Sequence, residues 1–364
     1  MAIKPVHNGP YFGYLNAVLG IFVLFPCTFS KSESLIAKMQ HHQSVYAAKY
    51  TSNWKPRKSM SVPAVFAATV TGRDGKIYVL SGSTAYDVNL TGAVRIYNPK
   101  TDSWSAGSPI PTPRTSAGAV VGPDGLIYVA GGLDKDNKKN AFEAYNPATN
   151  SWKRLEPVPT PRDATQAVAA RGKDGRTRIY VIGGRDRRRR GNGMTVVEAY
   201  DPDPGTWSTV APMIINLHAH MATVGPDGRI YVIGGTNDKV FATDALQIYD
   251  PISDSWTFGP PMPYGQECAA ATFTPGANGE VLVFGGWTKE KRPVSSVAAY
   301  SPRTGKWRLL KSGPHARAAG GAVTIVGKNG IGQVYVIGGT EEDSSGNVQT
   351  RHKVESSVEQ FIVR

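Results

Sequence analysis

Cysteine is nearly absent from this chain, since only Cys27 and Cys268 occur among 364 residues. Two thiols cannot build a disulfide framework or a cysteine-rich zinc site. Acidic residues are also few, 28 against 41 Lys and Arg, and the formal net charge is +13. Residues 1–58 carry +6 of this charge and the remaining 306 residues +7, so the overall excess does not predict a specific nucleic-acid surface.

Charge is lacking altogether over the 26 residues that separate Lys4 from Lys31. The apolar run LNAVLGIFVLF, residues 15–25, is followed by a proline and small residues, the layout of a secretory signal peptide. We therefore expect a signal peptide over 1–30, a linker over 31–45 and a secreted protein.

Two other destinations stay open for this segment. Residues 11–29, if not removed, are just long enough to anchor the chain in a membrane. A mitochondrial presequence is the third alternative, although the segment is apolar and poor in arginine. If the chain is exported, the sequon Asn89-Leu90-Thr91 predicts a glycoprotein.

Glycine is abundant, with 40 residues, and pairs of consecutive glycines recur with a period of about fifty residues. A Gly-Gly doublet follows an apolar strand such as IYVIGG in five copies, and Ser81-Gly82 is an imperfect sixth. The doublets stand at 131–132, 183–184, 234–235, 285–286 and 338–339. An Asp-Gly or Asn-Gly turn precedes each strand, which predicts a hairpin. Such a period indicates a repeat architecture.

Five of the six repeats continue with a tyrosine two residues before a proline, and a tryptophan follows the tyrosine by seven residues. The tyrosines are Tyr97, Tyr145, Tyr200, Tyr249 and Tyr300, and the tryptophans are Trp104, Trp152, Trp207, Trp256 and Trp307. This four-stranded unit resembles the kelch repeat over residues 46–364. The resemblance implies an all-β fold, a six-bladed kelch β-propeller.

The two ends of the repeat region complement each other. The last copy has Phe361 in the tyrosine place and no tryptophan after it, whereas Trp54 stands before the first Asp-Gly turn. We expect the strand around Trp54 to complete the C-terminal blade, close the ring and lie buried beside Phe361.

One column of the repeat carries groups capable of acid–base chemistry. Equivalent places in three consecutive copies hold Asp163, His218 and Glu267. At a channel mouth these residues could act as catalytic acids and bases. The neighbouring column has three arginines that could clamp an anion: Arg114, Arg162 and Arg317. The alternative is structural, with these residues capping turns and pairing with neighbouring blades.

The loops after the doublets add ligand-binding candidates. The segment RDRRRRGNG brings together Arg185, Arg187 and Arg188, which could bind an acidic glycan. Trp287 follows its doublet directly and could stack on a sugar or anchor a protein partner. His218 and His220 lack a clear third ligand, so no metal is expected, and nothing predicts a cofactor.

Fold alone does not decide function. The leading expectation is a monomeric binding protein that recognises a protein or an anionic glycan through one loop face. The alternative is a small-molecule enzyme acting on a small acidic sugar. It is suggested by a distant architectural similarity to six-bladed sialic acid mutarotases, whose catalytic motif is not matched here residue by residue.

Overall fold

The computed structural model describes residues 54–85, 88–186, 193–276, 278–327, 330, 332–342 and 352–362. The predicted signal peptide and linker lie outside these residues. The strands in chain order are β1 (Trp54–Arg57), β2 (Ala68–Thr71), β3 (Ile77–Leu80), β4 (Ser83–Ala85), β5 (Val88–Leu90), β6 (Val94–Asn98), β7 (Ser103–Gly107), β8 (Arg114–Thr115), β9 (Gly118–Val121), β10 (Ile127–Ala130), β11 (Leu133–Asp134), β12 (Phe142–Asn146), β13 (Ser151–Arg154), β14 (Gln166–Arg171) and β15 (Thr177–Ile182). They continue as β16 (Val197–Asp201), β17 (Thr206–Val210), β18 (Met221–Val224), β19 (Ile230–Ile233), β20 (Leu246–Asp250), β21 (Ser255–Phe258), β22 (Ala270–Phe273), β23 (Val281–Phe284), β24 (Val297–Ser301), β25 (Lys306–Leu310), β26 (Gly321–Val326), β27 (Gly332–Ile337), β28 (Thr340–Glu342), β29 (His352–Val354) and β30 (Val358–Ile362).

Six antiparallel four-stranded sheets form the blades of a ring. Blades 1 to 5 have the strand orders β2-β3-β6-β7, β9-β10-β12-β13, β14-β15-β16-β17, β18-β19-β20-β21 and β22-β23-β24-β25. The first strands of successive blades contact one another in a closed circle, in which β26 of the last blade meets β2 of the first. The predicted all-β, six-bladed propeller is confirmed.

Blade 6 combines both ends of the repeat region, in the order β26-β27-β30-β1. Trp54 lies opposite Phe361 in this sheet, with the two ring centroids 4.9 Å apart. Trp54 is half-buried rather than buried, because β1 is the outermost strand of the blade. The predicted closure by the N-terminal strand is confirmed.

Neighbouring blades cover both faces of the second strand in each sheet, which is why the last four residues of each of these strands are apolar. In β10, for example, all four residues are buried. The conserved spacing of Tyr and Trp brings their rings together within a blade, as in the 5.0 Å pair of Tyr145 and Trp152. The Trp152 indole N–H also donates to the Ser108 carbonyl in the connection from the preceding blade, at 2.8 Å. Each such Trp therefore links two blades.

The second glycine of the doublet is needed for close packing. Gly235 has a left-handed φ of 93°, and a Cβ atom there would lie 2.8 Å from the carbonyl oxygen of His218. Only glycine avoids both penalties. The segment that enters the blade is consequently held against the loop that leaves the doublet.

Candidate functional site

Short backbone pairs fix the predicted column at one end of the ring. In every blade the column residue pairs with a residue just after the doublet. The pairs are Val65–Ser83, Thr115–Leu133, Asp163–Arg185, His218–Thr236, Glu267–Trp287 and Ala318–Thr340. Because each antiparallel strand reverses the chain, the Asp-Gly turns lie at the opposite end.

A ring of left-handed residues surrounds the channel next to this column. Its members are Phe66, Ser116, Ala164, Ala219, Cys268 and Ala319, with φ between 47° and 57°. Each backbone N–H donates to the carbonyl of the preceding member at 2.7–3.0 Å in five of the six steps among these described residues. The sixth step, from Ala164 N–H to the Ser116 carbonyl, is not formed.

The ring opens into a cavity of about 620 Å³, and five of the predicted site residues line it. They are Asp163, Arg185, His218, Glu267 and Trp287. Three blades thus bring their acid–base candidates to one space, as the repeat alignment predicted. Their proposed catalytic and binding roles remain predictions.

Glu267 is a buried carboxylic acid in the wall of the cavity. Burial raises the pKa of its carboxyl group, while a hydrogen bond from Thr236 and the charges of Arg185 and Lys291 act in the opposite direction. Burial likewise raises the pKa of the neighbouring Cys268 thiol, so this thiol stays protonated at neutral pH. The wall therefore holds a carboxyl group whose pKa is higher than that of an exposed glutamate.

Asp163 belongs to a network of charges between blades 2 and 3. Its carboxylate lies 3.8 Å from Lys139 Nζ and 3.5 Å from Arg185 Nε. Lys139 also lies 3.3 Å from Asp186. Asp163 and Lys139 are both buried, so the network holds Arg185 at the edge of the cavity.

The second histidine of the fourth blade, His220, lies in the interior of the protein. His220 is 1% exposed, and neither ring nitrogen has a hydrogen-bond partner among the described residues. Burial, with His218 and Arg162 nearby, lowers the pKa of His220 to about 3. His220 is therefore neutral at physiological pH. No group of three potential metal ligands occurs within the described part of the chain.

The predicted anion clamp is not assembled. The three arginines are buried in ion pairs within their own blades: Arg114 with Glu143 at 2.5 Å, Arg162 with Glu198 at 2.7 Å, and Arg317 with Glu359 at 2.5 Å. Burial lowers the pKa of Arg162 to about 10, against the opposing effect of Glu198. These side chains hold the entering segment to the third strand of the blade, the structural alternative for this column.

A signal for these pairs was present in the sequence. The blades with arginine in this column have glutamate two residues before the conserved aromatic residue, at Glu143, Glu198 and Glu359. Blade 4 replaces the pair by Leu217 and Gln247. The arginine positions and the glutamate positions occur together in the same blades, and this joint occurrence predicts the ion pairs.

Of the ligand-binding candidates in the loops after the doublets, the structure describes some and not others. Trp287 lies at the cavity but is buried, with its ring 6.1 Å from that of Phe66. It therefore packs inside the protein rather than projecting as an open stacking platform. Arg187 and Arg188 lie outside the described residues. No helix in the described part of the chain is long and apolar enough to cross a membrane.

Residues 66–270 match the family model of the KLHDC2/KLHL20/DRC7 Kelch-repeats domain. The chain belongs to the kelch-repeat family. Residues 276–314 match the Kelch motif in addition. The expected kelch relationship is thereby confirmed.

Several curated proteins are similar to part of this kelch chain. Kelch-like protein 35 of Mus musculus is 31% identical over 45% of the chain and 25% of its own length. Kelch-like protein terF of Aspergillus terreus is 33% identical over 43% of the chain and 34% of its own length. Beta-scruin of Limulus polyphemus is 30% identical over 46% of the chain and 18% of its own length. The matches thus span only 18–34% of the length of these relatives.

A solved structure, described as the structure of YjhT, has the same fold. It matches with a TM-score of 0.62 and 17% identity, and the match covers 85% of this chain and 99% of that one. At this identity the likeness shows the propeller fold alone.

Proposed function

We propose that this kelch-repeat protein is a binding protein that recognises a partner protein through the loop face around the central cavity. The observation that carries the proposal is the convergence of loops from six blades on one mouth. A rigid ring that presents variable loops is a common way to build a recognition surface. The match of residues 66–270 to a Kelch-repeats domain model supports this proposal.

Two exposed apolar residues provide a matched test. Val240, 48% exposed, lies in the blade 4 loop after the doublet, and Ile252, 54% exposed, lies in a turn at the opposite end. Full-length wild type, Val240→Asp and Ile252→Asp would be compared as baits, with captured proteins identified by mass spectrometry. Partners lost with Val240→Asp but kept with Ile252→Asp support the proposal. Partners lost only with Ile252→Asp refute it.

A second candidate function is acid–base catalysis on a small molecule. It is favoured by the meeting of Asp163, His218 and Glu267 in one cavity and by the raised pKa of Glu267. Anomer or epimer exchange by a panel of sugars would be followed by NMR. Glu267→Gln should abolish any exchange, whereas Cys268→Ala, which places the alanine of blades 3, 4 and 6 in the ring, should not. Unchanged exchange with Glu267→Gln excludes this role.

We further propose that the protein enters the secretory pathway, on the basis of its N-terminal segment. Asn89, in the sequon, is exposed and has a left-handed φ of 63°. In a eukaryotic secretory host, the wild type should carry a glycan that Asn89→Asp lacks, and its N-terminus should begin at residue 31. An intact N-terminus without a glycan would contradict export.

A further inference from the structure

Two of the carboxylates that line the cavity, Asp163 and Asp134, already have partners within the protein. Asp163 lies between Lys139 and Arg185, at 3.8 and 3.5 Å. The Asp134 carboxylate accepts backbone N–H groups of Asp136 and Lys138, at 2.9 and 2.8 Å. An ionic ligand would therefore have to compete with existing partners, which disfavours a strongly charged ligand.

One wall of the cavity, from blades 2 and 3, presents hydrogen-bonding groups. Thr115, Ser116 and Gln166 line this wall, and their side chains have no hydrogen bond to other described residues. The unformed step of the backbone ring, between Ala164 N–H and the Ser116 carbonyl, adds one donor and one acceptor. A ligand here must both donate and accept hydrogen bonds.

The wall from blades 1, 5 and 6 is apolar apart from the Glu267 carboxyl group. Phe66, Cys268 and Ala319 line it, and Trp287, which also lines the cavity, has its ring centroid 6.1 Å from that of Phe66. Phe66 itself is only half-buried, so part of its ring borders the cavity. This wall suits the C–H face of a ligand whose other side is polar.

The geometry points to an uncharged sugar as the ligand of this cavity. Sugar hydroxyl groups donate and accept hydrogen bonds at once, and a pyranose ring has an apolar face. A volume of about 620 Å³ is within the range of small-molecule sites and leaves room for a mono- or disaccharide. This ligand class differs from the acidic sugar expected from the arginine columns, and it does not depend on the protein-binding function.

Calorimetric titration of the full-length protein tests the ligand class. Glucose, galactose, mannose and N-acetylglucosamine would be compared with glucuronate and galacturonate at pH 7. We expect a neutral sugar to bind at least tenfold more tightly than its uronate, whose carboxylate would face Asp163 and Glu267. Tighter binding of the uronate, or no binding of any neutral sugar at millimolar concentration, overturns the inference.

Variants that copy other blades locate the site without introducing foreign residues. Thr115→Val, Ser116→Ala and Gln166→Ala reproduce Val65, Ala164 and Ala270 at equivalent places. The triple variant should lose at least tenfold in affinity for the neutral sugar. Ile252→Ala, at an exposed position in a turn at the opposite end of the blades, should bind as the wild type does. Unchanged binding by the triple variant refutes the assignment of the polar wall.

The same sugar chemistry could come from a free sugar or from the end of a glycan. Titration with the methyl glycoside and with an oligosaccharide bearing the sugar at its non-reducing end separates these sources. Binding of the oligosaccharide as tightly as the free sugar indicates a glycan terminus. Binding of the free sugar alone indicates a small-molecule ligand. In either case, loss of binding in the triple variant supports the inference, and retention refutes it.

Discussion

Replacing His220 should change how the stability of the propeller depends on pH. This residue is the only large side chain at its place in the repeat, where the other blades have Ala67, Ala117, Thr165, Ala269 and Gly320. It is 1% exposed, and its pKa is lowered to about 3 from 6.5. His220→Ala therefore copies a residue that three other blades tolerate at this place.

The sign and size of the effect follow from proton linkage. A histidine whose pKa is lowered in the folded state binds its proton more readily in the unfolded state, so stability falls as pH drops below about 6.5. Between pH 7 and pH 4.5, His220 alone should reduce the free energy of unfolding by about 2.5 kcal/mol. The loss should level off near pH 3, where the folded protein takes up the proton.

Urea unfolding of the wild type and His220→Ala at pH 7, 6, 5 and 4.5 would measure this effect. The relevant quantity is the difference between the two pH curves, because the packing change of the substitution is the same at every pH. The wild type should lose about 2.5 kcal/mol more than the variant over this range. Parallel curves would show that His220 is not held neutral by burial, which would refute the reasoning.

Three further predictions concern the frame of the propeller. Arg162→Leu should cost about 3–5 kcal/mol, because it leaves Glu198 buried without its partner. The double variant Arg162→Leu, Glu198→Gln copies the Leu217 and Gln247 pair of blade 4 and should recover most of this loss in urea unfolding; equal losses would contradict it. Trp54→Ala should cost about 2–3 kcal/mol through lost contact with Phe361 and Phe284. The exposed neighbour Lys55→Ala should cost little in the same assay, and similar effects of the two would show that β1 does not hold the ring through its tryptophan. Gly228→Ala should cost about 1 kcal/mol from its left-handed φ alone, since nothing lies near its added Cβ. Gly235→Ala, which adds a clash with His218, should lower the thermal midpoint further, and equal midpoints would refute the packing role of the doublet.

The repeat pattern predicted the blades well because each blade is specified locally. Diglycine, tyrosine and tryptophan at fixed offsets determine one hairpin pair and its contacts, and six copies leave only ring closure to be inferred. Ring closure was also predictable, because Trp54 precedes the first repeat whereas the last repeat has no tryptophan after Phe361.

The candidate site was harder to predict because it depends on relations between columns and between blades. The acid–base column was placed correctly at one mouth, since its members are equivalent by repeat. The burial of Arg162 in an ion pair depends on Glu198, which is 36 residues away along the chain. The burial of Trp287 depended on Phe66 from another blade. The missing bond between Ala164 and Ser116 concerns two neighbouring blades, and no pattern within one repeat predicts it.

The strand order of blade 6 also sets the timing of folding during synthesis. Its third strand, β30, comes last, and β1, made about 300 residues earlier, can pair only with β30. Until the ribosome has released residues 358–362, β1 has no strand to pair with, and both β2 and β22 contact a blade that is still incomplete. Blades 1 to 5 can form while the chain is still growing, but the circle can close only once β30 has been synthesised. A nascent chain that stalls in blade 6 would therefore expose an unpaired strand, a target for chaperones or for aggregation.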